Sequence, residues 1–415
     1  MSLVPKPIPE RIRAVATSWS EFVLAAFIVV RPSLDLLAGM PLVSDLNVAA
    51  LLTLGLTLPS GWLIWHHWRD LTVPSVPRNF TLLFMLFFFA AALSWVPSDD
   101  IRVSSAHLLR LVSFLIILIA AWLHFVDRKS RRLLLWMFLS AVVPLALGFY
   151  QWLCHRGNLY TPGYNRIIGP FPHPNVYAQY LLVMAILIFL AWRLLRPSGW
   201  RKVVLAGFGI VVLFQMYKTF SRSSWIALAM AAVTYGILGL VRGDFILKPR
   251  HLVLPALVLL LLSGPIQTRW KMAFSADPGR VTSLNYRLKI WQTTWEHLGP
   301  LPLLGQGAGM HPVQFGEMAH NDYLKVLYEN GFVGLFFYLL PFLFLALNAL
   351  RKSLILESSR KSVAYKGIFI VLAVFLLISG VDNLQRSLVV MLYLFFAVAW
   401  LFNTAKETDR SSNRG

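Results

Sequence analysis

The stretch VYAQYLLVMAILIFLAWRLLRPSGWRK, residues 176–202, decides the fold. Up to Trp192 it is apolar apart from Gln179, and from Arg193 it turns abruptly basic, with Arg196, Arg201 and Lys202 around a Pro-Ser-Gly break. About 20 mostly apolar residues cross the hydrocarbon of a bilayer as a helix. A basic cluster at the end of such a run marks the cytoplasmic side. Residues 176–194 therefore read as one spanning helix that enters the cytoplasm at its C-terminal end.

The same pattern recurs along all 415 residues. The chain is 57% hydrophobic and 13% charged, with a mean hydropathy of +0.64, against about 45–50% apolar residues in soluble domains. Apolar runs bounded by charges fall near 19–33, 46–66, 79–97, 107–126, 133–153, 176–194, 203–218, 223–241, 251–267, 322–349, 367–381 and 387–403. The expected fold is all-α: a polytopic membrane protein of about twelve transmembrane helices, forming a single integral membrane domain over 1–415. Runs 203–218 and 223–241 are separated only by a short polar turn, and read either as two spans or as a broken, re-entrant pair.

The net charge of +20 is delivered in short clusters between apolar runs, such as DRKSRR at 127–132, which is the positive-inside pattern and not a nucleic-acid footprint. Lys6, Arg11 and Arg13 imitate the basic region of a signal peptide, but no small-residue cleavage site follows before Arg31, so they read as the cytoplasmic flank of a first spanning helix. Both termini are expected in the cytoplasm. The single cysteine, Cys154, has no partner within the chain and leaves the redox compartment open.

This orientation turns a long polar loop, 265–321, outward, together with 154–174 and the TFSRSSW turn at 219–225. Within the long loop, SLNYRLKIWQTTWEHL at 283–298 places apolar residues at 284, 288, 291, 295 and 298, one face of a short helix lying on the membrane or over a cavity. Ser283 or Asn285 can cap it, and its polar side carries Arg287.

Basic residues on the outward side run against the positive-inside trend. Arg222, between two spanning runs, reads either as a snorkelling interface residue or as a guanidinium fork facing a membrane-level phosphate. Arg287 reads either as part of a solvated helix face or as a second such fork. Lys218 and Lys289 fit the interface or the same positive field, and Arg166 is either an ordinary loop residue or a third cation. Around Arg166, Gly169, Pro170, Pro172 and Pro174 stiffen the loop, in which His173 and Asn175 have a structural reading. His320 opens an apolar helical run beside Asn321 and Asp322. Either it is incidental to a helix cap formed by one of these two, or it is a general base oriented by one of them. His311, next to Pro312, ranks below it. No metal is expected: no His, Cys, Asp or Glu cluster has metal-ligand spacing. Phosphate-cradling glycine loops of the ATPase type are missing as well. Arginines and a base gathered on one outward face suit transfer chemistry on a lipid-linked diphosphate, the arginines offsetting charge on the leaving group.

TFSRSSW at 219–225, NYRLKIWQTTWEHLGPLPLLGQGAGM at 285–310 and AHNDYLKVLYENGFVGLFFYLL at 319–340 resemble, in order and spacing, the C-terminal region of the O-antigen ligase and polymerase superfamily. RIIGPFPHPNVYAQYL at 166–181 resembles an upstream element of many members. The resemblance covers roughly 165–340, while the N-terminal third is similar only in hydropathy. It implies a GT-C-type glycosyltransferase of the bacterial inner membrane, with a large periplasmic loop, working on the periplasmic face without nucleotide sugar, cofactor or metal. The implied donor is a glycan on undecaprenyl diphosphate; the acceptor is the lipid A core in ligases and another lipid-linked repeat unit in polymerases. Arg222 and Arg287 would grip the donor diphosphate, His320 would activate the acceptor hydroxyl, and the anomeric centre would invert. A protein O-oligosaccharyltransferase and a secondary transporter are the less favoured readings.

Overall fold

The computed structural model describes residues 10–37, 41–43, 46–47, 55, 57–62, 64–65, 75–124, 130–161, 164–243, 283–299, 302–356, 360–384 and 387–412. In chain order the helices are α1 (Glu10–Val30), α2 (Ser75–Leu93), α3 (Ile101–His124), α4 (Ser130–Leu139), α5 (Val142–Leu153), α6 (Pro174–Leu195), α7 (Gly199–Lys218), α8 (Arg222–Val241), α9 (Ser283–Glu296), α10 (His311–Phe315), α11 (Asp322–Ile355), α12 (Arg360–Ser379) and α13 (Leu388–Ser412). Two short antiparallel ribbons interrupt the helical pattern: β1 (Pro41–Val43) with β2 (Leu46–Asn47), and β3 (Asn158–Thr161) with β4 (Tyr164–Arg166). Among the described residues eight helical segments are long and apolar enough to cross a membrane. Of the expected segments, 46–66 lies only partly within the described residues and 251–267 lies wholly outside them.

The chain is an integral membrane protein. In a bilayer, apolar side chains gain little by leaving lipid for protein, so close packing holds the helices together. The aromatic rings of Phe80, Phe342, Phe375 and Phe395 do this between α2, α11, α12 and α13, with Phe342 and Phe375 centred 4.5 Å apart and Phe80 and Phe395 5.6 Å apart. Gly367 on α12 lets Leu190 of α6 and Leu401 of α13 close in: a Cβ at this position would stand 2.9 Å from Leu190 Cδ1. Helices α6, α12 and α13 are thus the buried centre, whereas α7 and α8 are largely exposed to the surroundings.

Of the two readings open for runs 203–218 and 223–241, the structure has the first: two full-length helices, α7 and α8, joined through Thr219–Ser221. Two details differ from the sequence reading. Run 133–153 divides at residues 140–141 into α4 and α5, where Pro144 cannot donate to the carbonyl of residue 140. Run 322–349 is broken inside α11 at Gly331, which has φ 68° and ψ −170°. The segment after residue 301 docks on that break: Phe332 N–H donates to Pro302 O at 2.9 Å, Gln306 N–H to Tyr328 O at 2.9 Å and Gly307 N–H to Glu329 O at 3.0 Å. Backbone groups freed by the break are thereby paired, as a low-dielectric setting requires.

Candidate active site

One end of the bundle gathers the starts of α6, α8 and α11, the ends of α7 and α12, and the short loop between α12 and α13. Arg222 is the first residue of α8 and is exposed, following Phe220, which turns the chain in the left-handed region at φ 51°. His320 has the same backbone conformation, φ 51°, immediately before Asn321. A non-glycine residue in this region is uncommon. Asn321 then caps α11, its side-chain oxygen accepting from Leu324 N–H at 3.1 Å.

The carboxylate beside His320 is not Asp322, which is fully buried under the first turn of α11. It is Asp382, 62 residues further on in the α12–α13 loop: His320 Nδ1 and Asp382 Oδ1 are 3.4 Å apart, a long hydrogen bond. Asn383 Nδ2 lies 3.4 Å from the same ring nitrogen. Burial would by itself raise the Asp382 pKa, but the His320 hydrogen bond, the Arg287 charge and the Asn383 N–H outweigh it and hold the carboxyl below its ordinary value. An ionised acceptor favours a proton on Nδ1, which leaves Nε2 as the basic nitrogen. The other Asp382 oxygen accepts from Asn175 Nδ2 at 3.1 Å, and Asn175 Oδ1 accepts in turn from Arg166 Nη2 at 3.0 Å. Arg166 Nε also donates to Thr219 O at 2.7 Å, stitching β4 to the turn before α8. A chain of contacts thus runs from the Arg222 turn through Arg166, Asn175 and Asp382 to His320.

Helix α9 clamps this arrangement from outside. Arg287 Nη1 donates to Val381 O at 2.6 Å, next to Asp382. One helical turn on, Trp291 Nε1 donates to Ala319 O at 2.6 Å, next to His320. The face that packs is therefore 287, 291, 294 and 298, with Thr294 and Leu298 buried, whereas Leu288 and Trp295 of the apolar stripe read from sequence are exposed. The helix itself is where the pattern put it; its protein-facing side is the one carrying Arg287. Arg222 and Arg287 lie close enough for their like charges to repel, a repulsion that an anion between them would relieve.

Of the remaining sequence-derived residues, Lys218 turns its ammonium onto the rings of Trp152, Phe214 and Tyr217, 5.5–5.6 Å from their centroids, an interface role. Lys289 is exposed on α9. His173 caps α6, accepting from Asn175 N–H at 3.1 Å. Burial first, and the Arg166 charge second, push its pKa down to about 4, which keeps the accepting nitrogen unprotonated. His311 is buried, with its ring nitrogens 3.0 Å from Thr294 Oγ1 and 3.2 Å from Glu317 O. Asp382 and Asn383 are residues that sequence reasoning missed. Their signal was a polar island, GVDNLQRS at 380–387, between two spanning runs.

Residues 213–339 match the family model described as O-antigen ligase. That match supports the O-antigen ligase and polymerase superfamily over this stretch of the chain. No curated protein matched the sequence. The O-antigen ligase region contains Lys218, Arg222, Arg287, His320, Asn321 and Asp322, while Arg166, Asn175 and Asp382 lie on either side of it. The family is associated with glycosyltransferase-like ligase or polymerase activity and with lipid-linked glycan substrates in general.

Proposed function

We propose that this chain is an O-antigen ligase-type glycosyltransferase of the bacterial inner membrane. It transfers a glycan from undecaprenyl diphosphate to a sugar hydroxyl of the lipid A core, on the periplasmic face, with both termini in the cytoplasm. The observation that carries the reading is the His320–Asp382 pair beside Arg287 and Arg222.

His320 Nε2 takes the proton of the acceptor hydroxyl as its oxygen attacks the anomeric carbon. The bond from that carbon to the diphosphate oxygen breaks on the opposite side, and its electron pair leaves with the diphosphate. Negative charge developing there is offset by the guanidiniums of Arg222 and Arg287, whose planar forks match phosphate oxygens. Asp382 holds the imidazole in the tautomer that accepts at Nε2 and stabilises the imidazolium that forms, as the third member of a nucleophile–base–orienter set does. One displacement inverts the anomeric configuration.

The test is transfer in proteoliposomes holding the full chain, an undecaprenyl-diphosphate-linked glycan and lipid A core, without an ion gradient. Glycosylated core is the expected product, and its formation should be unaffected by EDTA, because the charges offsetting the leaving group are arginines. Movement of glycan across the bilayer without covalent transfer would contradict the reading. The same superfamily and the same residues also support a polymerase that joins lipid-linked repeats. In that case lipid-linked dimers of the repeat would form in the proteoliposomes and the core would stay bare.

A further inference from the structure

At the end of the bundle opposite His320, residues of α6, α7 and α12 line a basin of about 360 Å³, within the size range of small-molecule sites. Four of its lining residues are cations: Arg193, Arg196, Lys202 and Arg360. Trp192, Pro197 and Val363 complete it, and none of the lining residues is acidic. Among the described residues, none of the four cations has a carboxylate partner in an ion pair. Arg193 is oriented by its Nε–H to Tyr235 Oη at 3.0 Å, and Lys202 lies 5.8 Å from the centroid of the Trp192 ring.

Positive-inside retention accounts for cations at this end of the protein but not for their convergence on one basin. Two helix starts sharpen the point. Lys202 sits in the first turn of α7 and Arg360 opens α12, where the helix dipole disfavours positive charge, and neither first turn holds an acid to compensate. The resulting field attracts an anion that brings several oxygen acceptors. The basin also lies at the ends of three spanning segments, Pro174–Leu195, Gly199–Lys218 and Arg360–Ser379. Leu195, Trp200 and Val203 are exposed beside it, apolar surface available to acyl chains.

We propose that this basin binds the phosphate-bearing headgroup of an anionic phospholipid, with its acyl chains running along α6 and α7. Basic pockets between spanning helices are suited to such headgroups. The site is separate from the transfer chemistry and stands whether or not that chemistry is as described above.

The experiment is native mass spectrometry of the full chain, delipidated in detergent and then offered mixed micelles of phosphatidylglycerol or cardiolipin, with phosphatidylcholine as the neutral comparison. The wild-type protein should retain the anionic lipids selectively, and Lys202→Gln combined with Arg360→Gln should weaken that retention about thirtyfold. The conservative pair Lys202→Arg with Arg360→Lys should keep it, which separates loss of charge from loss of fold. Equal retention of anionic lipid by the wild-type protein and the Gln pair would overturn the proposal. So would millimolar inorganic phosphate that displaces the lipid completely, since the ligand would then be free phosphate.

Discussion

His320 and Asp382 carry the site at the scale of single residues. Replacing Asp382 by Asn keeps the shape but removes the charge that favours a proton on Nδ1. Transfer by Asp382→Asn should fall by about 10²–10³-fold, with donor binding close to normal in an equilibrium assay. Unchanged turnover in that variant would mean that His320 is oriented some other way. Arg222→Ala and Arg287→Ala should each lower transfer by about a hundredfold or more, with weaker donor binding. The Lys variants should fall between, keeping charge but losing the fork. Normal donor binding by both Ala variants would remove the diphosphate grip. His320 and Arg222 stood out in the sequence because each is a polar residue at the doorway of an apolar run, where charge is costly, and Arg287 because it sits on the polar side of the short amphipathic stretch at 283–298. Asp382 did not, because the pairing joins residues 62 apart and the nearer carboxylate, Asp322, offered a local explanation. That explanation holds in one respect: Asn321 caps the helix, and Asp322 lies buried beneath it.

Helix α9, the starts of α8 and α11 and the α12–α13 loop position these residues. Most spans were legible from hydropathy alone, including α7 and α8, whose separating turn is short enough to have suggested a broken pair. The break in α11 was not legible, because Gly331 is one glycine within an apolar pattern and its cause is a distant segment, 302–307, docking on it. A Cβ at Gly331 would stand 2.2 Å from Leu303 O, and the residue has φ 68°. Gly331→Ala should therefore destabilise the protein by about 2–4 kcal/mol, seen as a lower thermal midpoint in detergent, with loss of transfer as α10 and the residues before His320 lose their footing. An unshifted midpoint would mean that the docked segment is dispensable. The same region sets a pH limit. Burial first, and the Lys325 charge second, push the His311 pKa down to about 4, with the Glu317 carbonyl acting the other way, and His173 is likewise at about 4. Both folded-state values lie below the ordinary histidine value of about 6.5, so their contribution to stability is complete above about pH 6.5 and is lost as pH falls toward 4. The thermal midpoint should drop between pH 7 and pH 4.5, and His311→Asn should reduce the size of that drop. A flat profile in the wild-type protein would contradict the burial of the His311 ring.

The molecule as a whole is a bundle with two chemically different ends. At one end, loops and helix starts assemble an imidazole, a carboxylate and two guanidiniums. At the other, Arg242 ties α8 to α11 and α12 through Ser353 O and Ser362 Oγ, and the basic basin lies between α6, α7 and α12. Hydropathy led to the expectation that 154–174 and 219–225 share one face and the basic stretch 193–202 the other, since helices that alternate in direction return every second loop to the same face. The account stands most directly on His320 as the base. Transfer should therefore be measured for His320→Ala in proteoliposomes, together with equilibrium binding of the undecaprenyl-diphosphate-linked donor by the same preparation. The account predicts donor binding close to that of the wild-type protein and transfer reduced by at least about 10²-fold; transfer at the wild-type rate would contradict it.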